Sequence, residues 1–311
     1  MMDQKITRRT AVGGMLAGTA LLCLHKPGAF AQEATPAAPS VPATPEVPGY
    51  PTLNIFVTDS AIEISVNPIP SGYVLLNVTN NSKDETGAGI LGPGEGQTMD
   101  ELIATAATPP ADPGGFPPFL YDATILGGPG TLQPGQSAQA LVNIPAGDWA
   151  VFSEGSQPPA FIKAVESPDA NTTAPAAALT LTLGDFYFGG LDAVTSGSQI
   201  WEVTNEGAQP HMVDIAKVPD GTTVDQLIAT ILTIDAGTPT TGALTMDQIQ
   251  DLSYGVFLLS KGQTMYLPLT LEAGTYAVLC FVTDPATGKP HAMEGMINVF
   301  TTGGAAATPT S

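Results

Sequence analysis

Hydrophobic and polar positions alternate in short segments through most of the chain. SQIWEVTN (198–205), GQTMYLPLTL (262–271) and GTYAVLCFV (274–282) are rich in β-branched and aromatic residues and bounded by Gly, Pro or Asn, which predicts short strands. In the second of these, Met265, Leu267, Leu269 and Leu271 alternate with Tyr266, Pro268 and Thr270, the pattern of a half-buried strand. Pro268 has no N–H to give to a ladder and so favours an edge position. In the third, Tyr276, Val278 and Cys280 share one face, and Ala277, Leu279 and Phe281 the other. Helical signals are few. Thr98-x-x-Glu101 and Thr223-x-x-Gln226 are capping boxes that open DELIAT and DQLIAT, and Thr245-x-x-Gln248 opens a further turn. GGPG (127–130) reads as a plain turn, and no phosphate-cradling glycine motif is present.

The pattern occurs twice. SGYVLLNVTN (71–80) parallels SGSQIWEVTN (196–205), and GQTMDELIAT (96–105) parallels GTTVDQLIAT (221–230), both at an offset of 125. LQPGQSAQALVNIPAGDWAVFS (132–153) parallels LSKGQTMYLPLTLEAGTYAVLC (259–280) at 127. Near-constant offsets over three blocks imply a duplicated unit. With seven or eight short strands and one inserted helix in each unit, the expectation is all-β: two tandem Greek-key β-sandwich domains, 51–167 and 176–300. SPDANTTAP (167–175) supplies the turn between them.

The ends read differently. Thr7-Arg8-Arg9-Thr10, the apolar run Ala11–Leu24 and Ala29-Phe30-Ala31 are the parts of a twin-arginine signal peptide, residues 1–31. The apolar run is too short for a membrane span. Export to the periplasm, cell envelope or exterior is therefore expected, with no membrane insertion after cleavage. Residues 32–50 read as a Pro/Ala/Thr-rich linker, and 301–311 as a disordered tail of similar composition.

Charge narrows the partners. The chain has nine Lys/Arg and 29 Asp/Glu; without Lys5, Arg8, Arg9, Lys26 and Asp3 of the leader, five bases remain against 28 acids, about −23. Such a surface repels phosphate backbones and anionic lipid, which argues against nucleic acid, and it suits either a partner with a basic docking face or simple solubility.

Outside the leader there are one cysteine, Cys280, and two histidines, His211 and His291. A single thiol in an oxidising compartment is buried and inert, intermolecular, or a ligand. Thiolate, two imidazoles and a thioether form a soft donor set that suits copper. His211 opens the apolar-alternating HMVDIAKV after the turn Asn205–Pro210, Cys280 lies late in the strand GTYAVLCFV, and Pro290-His291 and Met296 follow a loop with turn chemistry.

Here the chain resembles the cupredoxins, the type 1 blue copper family. NEGAQPHMVDIAKVP looks like the segment around that family's first histidine ligand, and the C-x10-H-x4-M run looks like its copper loop, with Gly295 before Met296. The resemblance covers about 176–300 and implies one type 1 copper held by His211, Cys280, His291 and, axially, Met296, with Met293 as the weaker axial alternative. Ten residues between Cys and the second His exceed the interval usual in small cupredoxins. The first unit is a ligand-less copy: Thr86 stands opposite His211, Ser153 opposite Cys280 and Ile162 opposite Met296. The implied function is electron transfer to a redox partner, with His291 near the surface as the electron's exit. The alternatives are a metal-free binding or scaffold module and a copper delivery or storage protein. An enzyme is not expected, because a second copper centre or a Ser/His/Asp set needs imidazoles beyond the two already assigned.

Overall fold

A computed structural model describes residues 45–106, 116–155 and 157–303. The expected signal peptide, most of the expected 32–50 linker and the tail from 304 lie outside the described residues. The expected all-β architecture is present, as two tandem β-sandwiches with little helix.

The first half holds β1 (Thr52–Val57), β2 (Ile62–Ile64), β3 (Ile69–Pro70), β4 (Gly72–Asn80), β5 (Ala88–Gly92), β6 (Thr124–Gly127), β7 (Ser137–Ile144), β8 (Gly147–Ser153) and β9 (Ala160–Val165). Helices α1 (Met99–Ala106) and α2 (Phe119–Asp122) lie between β5 and β6. The second half holds β10 (Leu179–Gly184), β11 (Tyr187–Gly189), β12 (Gly197–Asn205), β13 (His211–Val218), α3 (Val224–Ala236), β14 (Gln250–Leu259), β15 (Thr264–Leu271), β16 (Gly274–Leu279) and β17 (Ile297–Thr302). The last strand thus runs two residues past MINVF. The predicted caps form: the Thr98 and Glu101 side chains each bond the other's backbone N–H, as do those of Thr223 and Gln226.

The halves repeat one pairing scheme. β1 runs parallel to β4 and β10 parallel to β12, while β4–β7 and β12–β15 are antiparallel. In the second layers, β5–β8–β9 corresponds to β13–β16–β17. A buried asparagine ends the equivalent strands. Asn80 Nδ2 donates to Asp84 O and Leu132 O, and Asn205 Nδ2 to Gln209 O and Leu259 O, all at 2.7–2.8 Å. Each asparagine ties the turn that follows it to a carbonyl on the neighbouring strand segment and so shapes that turn.

Both faces of β16 are covered. Tyr276, Val278 and Cys280 enter the sandwich core, whereas Ala277 and Leu279 join a second cluster with Leu227 and Ile231 of α3. The alternation of faces is as expected, and α3 explains why neither face is polar.

Two expectations change. β15 is not an edge strand: it sits between β12 and β7 in an eight-stranded sheet that runs through both halves. Its pairing with β7 covers only Met265–Tyr266, so the missing N–H of Pro268 falls beyond that ladder. GGPG is more than a turn, because it forms the seam between halves. Gly130 N donates to Gly255 O and Phe257 N to Gly128 O, both at 3.0 Å. A Cβ on Gly130 would meet Gly255 Cα at 3.0 Å, so a side chain there would press the two backbones apart. One continuous core results, with Phe257 of β14 stacked edge-on against Phe152 of β8 at 4.9 Å.

Candidate metal centre

His211 begins β13 because the Asn205 turn delivers it there, and Cys280 follows the last residue of β16. Ile215↔Val278 pairing in that ladder carries both to the same end of the sandwich. His291 opens a short 3-10 turn, His291–Glu294, before β17. His211, Cys280 and His291 are all fully buried and form one cluster.

The C-x10-H interval is shorter in space than in sequence. Thr283 and Pro290 form an isolated antiparallel bridge, and Asp284 N donates to Lys289 O at 2.8 Å. Residues 284–289 are thereby pinched off as a small hairpin. Below the pinch, His291 N donates to Val282 O and Ala292 N to Cys280 O, both at 2.8 Å. These bonds hold the second histidine against the cysteine.

His211 Nδ1 and His291 Nδ1 are 3.1 Å apart, and they lie 3.8 and 3.5 Å from Cys280 Sγ. A point equidistant from atoms at those separations lies about 2.0 Å from each, the length of a metal–imidazole bond and a little short of a metal–thiolate bond. Met212 N–H is also aimed at the sulfur, 3.5 Å away, a donor that favours thiolate. The donor set, its spacing and its softness therefore fit a thiophilic ion of the copper type.

Met296 is fully buried in the same core cluster as Cys280, and its main chain brackets the site: Cys280 N donates to Met296 O at 3.1 Å and Met296 N to His291 O at 2.9 Å. Met293 instead packs on the α3 side, with the second cluster. Met296, not Met293, is the methionine on the site's side of the sheet.

Burial dominates the electrostatics. It pushes the Cys280 thiol up to about 12 against the pull of the Met212 and Val282 N–H groups. It also lowers His291 to about 4, helped by the neighbouring His211. His211 is lowered too, by burial that outweighs its contact with Asp185. Two neutral imidazoles thus present lone pairs, and a cation in the pocket would reverse the thiol's preference and displace its proton.

His291 is not near the surface, contrary to expectation. Its Nε2 lies 3.0 Å from Gln209 Oε1, and the Phe186 ring stands edge-on to it at 5.1 Å. Phe186 and Asp185 form the two-residue turn between β10 and β11, where Phe186 has a left-handed φ of 68°, a conformation costly for an aromatic residue. Asp185 Oδ1 lies 3.1 Å from His211 Nε2 and also accepts from Ala208 N and Gln209 N. Its partial burial acts to raise the carboxyl, yet those hydrogen bonds prevail and hold it below the usual range. Tyr121 of α2 reaches across from the first half, and its hydroxyl donates to Thr283 O at the base of the pinched loop. The first half therefore touches the loop directly.

Asp185, Gln209, Phe186 and Tyr121 are not legible in the sequence. The Gly184–Tyr187 hairpin turn could be recognised there, but nothing marks one carboxylate among so many. Gly207 could have been found by comparing the repeats, because its counterpart, Ser82, carries a side chain. A Cβ at Gly207 would fall 2.5 Å from both His211 Nε2 and Asp185 Oδ1. Gly207→Ser, which restores the first half's residue, is expected to force these groups apart and to lower stability by about 1–3 kcal/mol, as overpacking does. Urea unfolding checks this, and a change within experimental scatter would contradict it.

In the first half the equivalent positions hold Thr86 and Ser153. Their hydroxyls bond to Gly87 O at 3.1 Å and Gln157 Oε1 at 3.0 Å, and among the described residues no cluster of metal-type donors forms there.

No protein-family model matches the sequence, and no curated protein matches it. Among solved structures, the chain is similar to the dithionite-reduced auracyanin of Roseiflexus castenholzii, with 21% identity over 42% of this chain and 100% of that one and a TM-score of 0.27. It is also similar to the copper nitrite reductase of Nitrosomonas europaea, with 14% identity over 82% and 94% of the two chains and a TM-score of 0.23. A multi-copper oxidase of Pseudomonas thermotolerans gives 14%, 83% and 69%, with a TM-score of 0.26.

Proposed function

We propose that the second sandwich holds one type 1 copper ion and that the protein is an exported electron carrier rather than an enzyme. The observation that carries this reading is the convergence of two imidazole Nδ1 atoms and one thiol sulfur around a point about one metal–ligand bond from each, in a fully buried pocket. His211, Cys280 and His291 would be the strong ligands, and Met296 the weak axial one. Copper bound there supplies a one-electron couple.

The chain's own residues favour such a couple over other uses of the metal. The ladder between β13 and β16 and the main-chain bonds around Cys280 hold the donors rigidly, so little need move when charge changes. Handing the ion to another protein requires an open ligand edge, and none of the three donors reaches solvent. That disfavours delivery. The sequence has three histidines, and only His25 of the leader lies outside the site, which leaves too few imidazoles for a second copper centre.

An electron would cross where the cover is thinnest. Asp185 touches His211 on one side and is 35% exposed on the other. A carboxylate at the crossing point, on a chain this acidic, suits a redox partner with a basic face and an association rate that falls with added salt. Stopped-flow oxidation by a basic cytochrome at rising ionic strength measures this, and a salt-independent rate would remove the docking idea. The decisive test is the absorption spectrum of the leader-free protein loaded with Cu(II). An intense visible thiolate-to-copper band is expected, and a colourless protein with a free thiol would refute the reading. Among the described residues no helix is long and apolar enough to cross a membrane.

A further inference from the structure

Each imidazole has a second nitrogen, and both of these are held by an acceptor tied to a carboxylate. We propose that Asp284, acting through Gln209, and Asp185, acting directly, are positioning residues that turn the Nδ1 lone pairs of His291 and His211 towards Cys280. The inference rests on the copper reading of the site.

Asp284 lies in the pinched hairpin. Its Oδ1 lies 2.9 Å from Gln209 Nε2 and 3.2 Å from Ala286 N. The Gln209 amide, then the Ala286 N–H, keep the carboxyl below its usual range, so it is an acceptor and nothing else. A carboxylate accepts from an amide only at its NH2 end. That settles which end of Gln209 faces which neighbour: the carbonyl Oε1 must point the other way, at His291 Nε2, 3.0 Å distant. A carbonyl oxygen cannot donate, so the proton of neutral His291 lies on Nε2 and the lone pair on Nδ1. The other imidazole is held by its carboxylate without an intermediary. Asp185 Oδ1, fixed by the N–H groups of Ala208 and Gln209, faces His211 Nε2 at 3.1 Å and assigns the proton to it.

Both lone pairs then face inward with only 3.1 Å between them. Two lone pairs so placed repel, and a cation between them relieves the repulsion. The carboxylates therefore store, in the folded chain, a preference for an occupied pocket.

The long loop has a purpose in this arrangement. Residues 284–289 add nothing to the path from Cys280 to His291, because the Thr283–Pro290 bridge closes beneath them. What they add is Asp284, carried to the position from which Gln209 can be oriented. Tyr121, bonded to Thr283 O, steadies that hairpin from the first half.

The test uses the full leader-free chain with Cu(I) as the probe. Affinity is read by competition with a chromogenic chelator, and imidazole Nε2–H resonances by NMR of the diamagnetic Cu(I) form. Asp284→Leu and, as a variant that leaves the loop intact, Gln209→Met are each expected to lose roughly 10- to 100-fold in affinity. Both should lose the slowly exchanging His291 Nε2–H signal while keeping that of His211. Asp284→Asn, whose amide oxygen can still accept from Gln209, is expected to restore both. Affinity within twofold of the unaltered protein in Gln209→Met, with the signal retained, would overturn the inference, even if Asp284→Leu weakened binding through its loop. Failure of the unaltered protein to take up Cu(I) would instead overturn the copper reading and this inference with it.

Discussion

Cys280→Ser is expected to give a folded protein that takes up no colour from Cu(II). The thiolate is the one ligand that both anchors a soft ion and produces the visible charge-transfer band, and a hydroxyl does neither at neutral pH. Loss of affinity should exceed the roughly 100-fold that bounds the removal of an outer partner. The fold should survive. A serine hydroxyl is smaller than the thiol and meets ready partners in Met212 N–H and the two Nδ1 atoms, so the 1–3 kcal/mol cost of an unsatisfied buried hydroxyl, about that size in general, is largely avoided. Circular dichroism and the absorption spectrum, taken together on the copper-treated variant, check this. A variant as coloured as its parent would show that the sulfur is not a ligand.

The second large effect is thermal. An ion that binds the folded chain and not the unfolded one stabilises it by about 4 kcal/mol when its free concentration is about a thousand times Kd. For a chain of this size each kcal/mol moves Tm by roughly 2–4 °C, so copper should raise it by roughly 8–16 °C. Because the two sandwiches share the eight-stranded sheet and one core, the shift should appear in a single transition rather than in one half alone. Calorimetry with and without the metal, with Cys280→Ser as control, measures it. An unchanged Tm would favour the metal-free scaffold, in which the sandwich persists but the cluster is idle.

Colour and thermal stability separate the copper reading from its rivals because they draw on different properties of one cluster, colour on the sulfur and stability on the fold around it. Neither depends on the identity of a redox partner.

Strands, caps and the paired scheme of the two halves were legible in the chain because alternation and capping are local: Thr223 and Gln226 are three residues apart, and the two faces of β16 alternate one by one. The candidate ligands were legible for a different reason, the scarcity of cysteine and histidine. What local pattern could not carry is which element covers which. His211 and His291 are eighty positions apart, and the sheet that joins β15 to β7 connects residues more than a hundred apart, at separations where periodicity holds no information. Pro268 looked like an edge because the pairing that places β15 inside the sheet, Met265 and Tyr266 with β7, comes from the other half of the chain and stops short of the proline. His291 looked exposed because Phe186 and Gln209, which close over it, come from two other turns. Sequence alone therefore determined the building units and the chemistry they could hold. Only the tertiary structure decided that the pocket is closed, that its loop is short in space, and that carboxylates stand behind both imidazoles, since these follow from distances between segments that meet only when the chain has folded.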